Sequence, residues 1–479
     1  MNHRNLTRII FPIAALLFPL AVHAAPTLPQ PYVPRGTPVE RLQSLFGLFA
    51  FTILAFLIGK LRGSKKIPWR VIIWGTILDF VFGAMVIFSP KVLEVVQEAV
   101  QKLLDFSNEG ARLVFGNLIQ DPVNVTTDIK GLGDVIGHAQ IGFVFAFSVL
   151  PTIIFIAMLT AVLYHVGILT WVVHGLAWIM RKTMGTSGAE TLSTAANIFV
   201  GQTEAPLIVK PFLAAATNSE MMAIMVGGFA NIASGVLVVY SELLKDFVPN
   251  AGGHLALACF ISAPATLVVS KLMMPETSTP ITAGGVDFTV ERLDANLIDA
   301  ATRGTTEGMA LCINVAAMLI AFTALVALLN AVFGGLTSWM HLGTVAMIDG
   351  HATYSGIKLE QALGYLMAPI MWLCGVDWAS ANHAGSLLGI KTVLNEFLAY
   401  FEMSNQLHAN ANYLSPRAAL LSTYALCGFA NFASVGIQIG GISTMAPSRR
   451  ADLSRLGLLA MVGGAIASCM GACVVGVLW

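Results

Sequence analysis

The stretch Asn197–Lys210, NIFVGQTEAPLIVK, sets a polar trio, Gln202, Thr203 and Glu204, between Gly201 and Pro206 inside sequence that is otherwise apolar enough for a membrane. A charged side chain at the centre of a membrane helix costs about 2.5 to 3.5 kcal/mol on insertion scales, so it needs a partner or a wet cavity. Glycine frees the backbone before the trio and proline withdraws a donor after it, which favours a broken helix. Non-helical backbone at membrane depth is tolerated only where it lines a cavity or is buried in protein. The stretch therefore reads as the tip of a re-entrant hairpin, 190–215, that presents polar groups to a solute.

The surrounding chain has the composition such a hairpin requires. Of its 479 residues 56% are hydrophobic and 11% charged, and its mean hydropathy is +0.77, far from a soluble domain. It reads as a multi-pass membrane protein. A formal net charge of zero gives no ground for nucleic acid as a partner. The six cysteines lie in or beside apolar stretches without CxxC or Cys/His spacing, so no disulfide, metal centre or cofactor is implied.

Arg4 and Arg8 precede an apolar run, Ile9 to Val22, that ends in AVHAAP, the layout of a signal peptide over 1–24; an uncleaved first helix is the alternative. A proline-rich linker, 25–43, follows. Spans then begin near Leu45 and Val71, and the cations between them (Lys60, Arg62, Lys65, Lys66, Arg70) belong on the cytoplasmic side. The N-terminus is then periplasmic. Within 91–119, Val92, Val95, Val96, Ala99, Leu103 and Phe106 recur at helical spacing opposite Glu94, Glu98, Lys102 and Asp105. This pattern predicts an amphipathic helix at the interface or against a partner subunit.

The second half repeats the first. GFANIAS at Gly228–Ser234 returns as GFANFAS at Gly428–Ser434, and each copy follows a hairpin glutamate, Glu204 in one case and Glu396 of LNEFLAY in the other. If 190–215 and 380–400 re-enter rather than cross, eight spans remain, and the order span, hairpin, GFANxAS span, span occurs twice with opposite orientation. Inverted repeats with paired interrupted helices are the architecture of secondary transporters, whose substrate site lies at the repeat interface. The expected organisation is 44–137 for the first spans and interfacial helix, 138–274 for the first repeat, 275–307 for a cytoplasmic loop and 308–479 for the second repeat. The fold class is an all-α membrane protein in a bacterial inner membrane, with both termini periplasmic.

Five stretches, GQTEAPLIVKPF, LMMPETSTP, NVAAMLIAF, GSLLGIKTVLNEFLAY and YALCGFANFASVGIQIGG, resemble the concentrative nucleoside transporters, and the likeness runs from about residue 45 to the C-terminus. The resemblance implies a homotrimer in the lipid bilayer, in which an elevator-type transport domain carries nucleosides inward on a cation gradient. It assigns the nucleobase to Gln202, Thr203 and Glu204, and the ribose to Glu396, Asn431 and Ser434, with Phe429 shaping the pocket. Residue chemistry agrees, since a carboxylate, an amide and a hydroxyl together satisfy adjacent ribose hydroxyls. That chemistry alone does not separate nucleosides from other small polar or polyhydroxy solutes, and an elevator-type symporter for one of these is the alternative.

For the coupling ion the resemblance implies sodium on Asn197, the Val200 carbonyl, Asn231 and the Ile232 carbonyl. The family's hydroxyl is replaced by an amide at Asn231. Proton coupling through Glu204 or Glu396 is the alternative, but it would leave Asn197 without a role. Lys210 and Lys391 are candidates either to neutralise the glutamates or to reach the surface. Asp79 reads as a structural hydrogen-bonder. Paired aspartates and HExxH are both missing from the apolar segments, which argues against an intramembrane hydrolase.

Overall fold

A computed structural model describes residues 33–63, 66–88, 90–119, 123–129, 133–139, 144–283, 294–343, 345–348, 351–354 and 356–479. The expected signal peptide, 1–24, and the first part of the expected linker, 25–32, lie outside the described residues, and the end of that linker, from Pro38, is already helical. Among the described residues the regular structure is helical but for two short antiparallel ribbons, β1 (Val123–Ile129) with β2 (Gly133–Ala139) and β3 (Val345–Ile348) with β4 (His351–Tyr354).

Helix α1 (Pro38–Leu61) starts on a capping box, Thr37 with Glu40, and a proline in its first turn. It is followed by α2 (Trp69–Ile87), α3 (Pro90–Phe115), α4 (Leu150–Val166) and α5 (Ile168–Met184). The first hairpin is α6 (Gly188–Ala196), a looped tip, and two single helical turns, Ala205–Ile208 and Lys210–Leu213. The first interrupted span is α7 (Asn218–Ala230) with α8 (Ser234–Leu244), and α9 (Ala251–Met273) closes that repeat. The second repeat opens on α10 (Leu297–Trp339) and α11 (Leu359–Leu373). Its hairpin is α12 (Trp378–Val393) with α13 (Glu396–Ala409), its interrupted span is α14 (Pro416–Leu426) with α15 (Phe432–Met445), and α16 (Arg450–Leu478) is last.

Five segments among the described residues are long and apolar enough to cross a membrane: α1, α7 with α8, α9, α10 and α16. The eight spans expected from sequence correspond to these five with the shorter helices α2 and α4 and the broken pair α14/α15 added. Helices α7, α8 and α9 are the buried centre, while α10 is largely bare and packs chiefly on α4. Gly304 and Gly308 allow that contact, because a Cβ at either would lie 2.8 Å from the α4 backbone.

Three expectations change in detail. The second hairpin runs over 378–409 rather than 380–400, because its outgoing arm is amphipathic and buries Met403, Ser404 and Leu407 beneath a polar face. The loop expected over 275–307 ends earlier, since α10 is helical from Leu297. The amphipathic segment 91–119 is helical as expected, but α3 buries Leu93, Val100, Leu104, Ser107 and Ala111 and leaves Val92, Val95 and Phe106 exposed. Its inner face docks on the start of α9, where Gln97 Oε1 accepts the Gly252 N–H at 2.9 Å.

Both interrupted spans break within the repeated motif, and the two breaks touch. The Phe429 N–H donates to the Asn231 carbonyl at 3.3 Å, and Ser468 of α16 donates to the Cys427 carbonyl at 2.8 Å. Backbone groups freed by the breaks are thus paired inside protein, as a low-dielectric interior requires. Gly428 makes the crossing possible with φ +141, and a Cβ there would lie 2.7 Å from the Phe229 carbonyl oxygen and 2.9 Å from that of Ala230. Gly428→Ala is expected to destabilise by roughly 1–3 kcal/mol from backbone strain alone. The measurement is Tm in detergent, with Gly436→Ala, where a Cβ meets nothing within 4 Å, as the variant expected to melt like the parent.

Candidate functional site

The second hairpin delivers its glutamate through a local break. Leu394 ends the incoming arm, Asn395 turns extended (φ −164) and caps α13 by accepting the Leu398 N–H at 2.8 Å, and Glu396 opens the outgoing arm. The Glu396 carboxylate is buried, accepting Tyr240 Oη–H at 2.9 Å on one oxygen and Asn431 Nδ2–H at 3.1 Å on the other. Asn431 in turn caps α15, its Oδ1 accepting the Ser434 N–H at 2.8 Å. Glu396, Asn431 and Ser434 are therefore one linked set, with the partly buried Phe429 next to it in the break. A carboxylate offers about four lone-pair positions, so two remain for hydroxyls of a solute.

The first hairpin is more self-contained. Glu204 accepts the Gly201 N–H and so closes its own turn. Gln202 is buried with Oε1 unpartnered, and its Cβ shares the space above Gly228 with the amide of Gln438, which donates to the Met225 carbonyl at 3.1 Å. Thr203 packs over Gly441. The first hairpin tip thus leans on α15, the helix that Asn431 and Ser434 begin.

A cavity of about 190 Å³ lies on the other side of this tip, between it, α4, α8 and α10. Val200, Glu204, Ser234, Tyr164, Arg303 and Glu307 line it. Arg303 forks onto Asp294 at 2.7 and 2.9 Å and reaches Glu307 at 2.9 Å, and the guanidinium holds the Asp294 carboxyl below the usual carboxylate range. Of the expected substrate residues the cavity gathers only Glu204. Gln202 and Thr203 face α7 and α15 instead, and Glu396, Phe429, Asn431 and Ser434 sit at the crossing of the two breaks.

For the cation, Asn197 is buried with both amide atoms unpartnered, at the end of α6. Asn231 is buried at the end of α7, where its Nδ2 approaches the Gly227 carbonyl at 3.4 Å and its Oδ1 accepts Ser262 Oγ–H. The Ile232 carbonyl accepts the Cys259 thiol at 4.0 Å. Lys391 is fully buried and donates to the Ala425 carbonyl at 2.9 Å, so it neither snorkels nor bonds Glu396, whereas Lys210 is exposed. Asp79, read as a structural hydrogen-bonder, is fully buried in α2 with neither carboxylate oxygen hydrogen-bonded among the described residues.

Sequence reading missed Tyr240, Gln438 and Ser262. Each is a polar side chain in a largely apolar run (VLVVYSELL, SVGIQIGG, CFISAPA), which was the available signal.

Three family models match in succession: "Na+ dependent nucleoside transporter N-terminus" over 46–118, "Nucleoside recognition" over 146–247 and "Na+ dependent nucleoside transporter C-terminus" over 254–476. Solute carrier family 28 member 3 of Eptatretus stoutii is 36% identical over 91% of this chain and 60% of its own length. Sodium/nucleoside cotransporter 1 of Rattus norvegicus is 38% identical over 92% of this chain and 64% of its own. The chain thus spans less than two thirds of these animal relatives. Transporter YutK of Bacillus subtilis is 38% identical over 91% of this chain and 98% of its own. Among solved structures, CNTnw in an inward-facing substrate-bound state superposes with a TM-score of 0.78 at 35% identity, covering 91% of this chain and 97% of that one.

Proposed function

Because the chain belongs to the Na+ dependent nucleoside transporter family, we propose that it imports nucleosides by symport with sodium, as a homotrimer in a bacterial inner membrane with both termini periplasmic. The observation that carries the substrate reading is Glu396, a buried carboxylate held by Tyr240 and Asn431 beside two touching helix breaks, with lone pairs left for a diol. Ribose hydroxyls engage Glu396, Asn431 and Ser434, Phe429 bounds the pocket, and the base meets Gln202, Thr203 and Glu204. Gln202 and Thr203 pack toward α15, the helix that Asn431 and Ser434 begin, so a nucleoside held by both sets would touch both hairpins. Such a bridge suits a carrier whose hairpins gate the two sides in turn.

The trimer reading rests on the family; on α10, Ile313, Ile320, Leu328, Val332 and Trp339 are exposed and apolar, a face that suits lipid and a partner subunit alike. For sodium, Asn197 Oδ1 is free and Asn231 Oδ1 keeps a second lone pair beside its bond from Ser262, so both amides fit a hard cation alongside the Val200 and Ile232 carbonyls. The test is labelled-uridine uptake in proteoliposomes under a sodium gradient at constant pH, compared with a pH gradient in sodium-free buffer. Sodium-driven uptake that Asn197→Ala removes is the expected result. Full uptake on the pH gradient alone would transfer the coupling to Glu204 or Glu396.

A further inference from the structure

Asn231 stands where the family's sodium site would carry a hydroxyl, and its side chain reaches across to α9. Ser262 and Thr266 lie one helical turn apart on α9, opposite Gly227 and Asn231, which lie one turn apart on α7. Ser262 bonds Asn231. Thr266 has no such partner: its hydroxyl is fully buried and unpartnered, and so is that of Thr194 on α6. Elsewhere in this chain helical threonines satisfy themselves on the carbonyl one turn back, as Thr392, Thr423 and Thr337 do at 2.8 to 2.9 Å. Thr194 and Thr266 forgo that bond although both are helical.

These groups converge on one point. A Cβ at Gly227 would meet Asn197 Nδ2 at 3.1 Å, Thr194 Oγ1 at 3.5 Å and Thr266 Cγ2 at 3.6 Å. Gly227 thus leaves a small gap bounded by the unpartnered Asn197 amide, the unpartnered Thr194 hydroxyl and the methyl of Thr266, whose own buried hydroxyl branches from the same Cβ and also has no partner. Buried polar atoms without partners in a native structure call for an occupant, a water or an ion. Asn197 joins this gap to the expected cation site, since its amide serves both.

We propose that Thr194 and Thr266, with the Asn197 carbonyl, form a cation-binding station beside Gly227, one turn along α7 from Asn231. The station rests on the reading of the chain as a sodium symporter. The station lies beside the sodium site read on the Asn197 and Asn231 amides with the Val200 and Ile232 carbonyls, shares Asn197 with it, and adds two threonine hydroxyls on the side of α6 and α9. Hydroxyl and amide oxygens are hard, neutral donors, which suit an alkali cation more than a transition metal.

Thr266→Val and Thr194→Val keep the shape and delete the hydroxyl. Each is expected to raise the half-saturating sodium concentration for uridine uptake by about tenfold, the loss of one ligand. Thr266→Ser, which restores the oxygen, is expected to return it toward the parent value. A second reading does not depend on transport: the rise in Tm when sodium chloride replaces choline chloride is expected to shrink in both valine variants. Removal of an unpartnered buried hydroxyl leaves Tm in choline chloride at or above the parent's, so a misfolded variant is recognised. Parent-like sodium dependence and an undiminished sodium-induced Tm rise in both valine variants would overturn the station while leaving the symport reading intact. Parent uptake indifferent to sodium would overturn the symport reading itself.

Discussion

Glu396→Gln lowers uridine affinity by about ten- to a hundredfold, because a hydrogen bond to a charged acceptor contributes roughly 1.5–3 kcal/mol and 1.4 kcal/mol is tenfold. The fold should tolerate the change. With its amide oxygen toward Asn431 Nδ2 and its NH2 toward Tyr240, whose hydroxyl can rotate to accept, glutamine keeps both internal partners. What it loses is the charge and the spare lone pairs that would meet ribose hydroxyls. Binding measured by calorimetry with uridine, 2'-deoxyuridine and 3'-deoxyuridine separates the roles. In the parent the deoxy analogues are expected to bind more weakly than uridine, and in Glu396→Gln that difference is expected to collapse. An equal penalty for the deoxy analogues in both proteins would remove the ribose from Glu396.

Lys271→Met destabilises by about 3–5 kcal/mol, the usual consequence of stranding one partner of a buried ion pair. Lys271 Nζ lies 2.5 Å from Glu190 Oε2, with 5% and 1% of the side chains exposed, and donates to Ser219 Oγ at 2.8 Å. It sits at the end of α9, just before the MMPETSTP stretch, and Glu190 sits in the first turn of the first hairpin. Around it, Glu220 accepts from Ser187 at 2.6 Å and from Thr282 at 3.0 Å, while Glu276 accepts from Thr217 at 2.7 Å. This network fixes the base of the hairpin whose tip carries Gln202 to Glu204. The single variant therefore melts well below the parent in detergent, and Glu190→Gln with Lys271→Met recovers most of the loss. A single variant that melts within a degree or so of the parent would show that the pair holds nothing.

Those two residues also mark the limit of what one sequence discloses. Glu396 was legible because a carboxylate in an apolar run, flanked by a motif that recurs, has few structural explanations. Glu190 and Lys271 lie 81 positions apart, and nothing local in GAETLSTAA or VVSKLMM announces that they meet. Tyr240 and Glu396 are separated by 156 positions in different repeats. Periodicity located α3 but gave the wrong edge of its apolar stripe, because Val95 and Phe106 face outward while Ser107 faces in, against Thr152 at 3.2 Å. Apolarity ended the second hairpin at Tyr400, yet a helix anchored on one face continues through FEMSNQLHA to Ala409. The repeat GFANxAS was visible, but nothing in either copy announces the Asn231–Phe429 hydrogen bond across the breaks.

The most direct measurement of the central claim is accumulation of labelled uridine inside proteoliposomes above its external concentration. The vesicles carry an inward sodium gradient, with choline on the opposite side, and unlabelled competitors are added in turn. The account predicts concentrative uptake that collapses when sodium is equalised, that other nucleosides compete for, and that free nucleobases and dicarboxylates leave largely intact. Uridine that only equilibrates under the sodium gradient, or uptake displaced by dicarboxylates and indifferent to nucleosides, would contradict it.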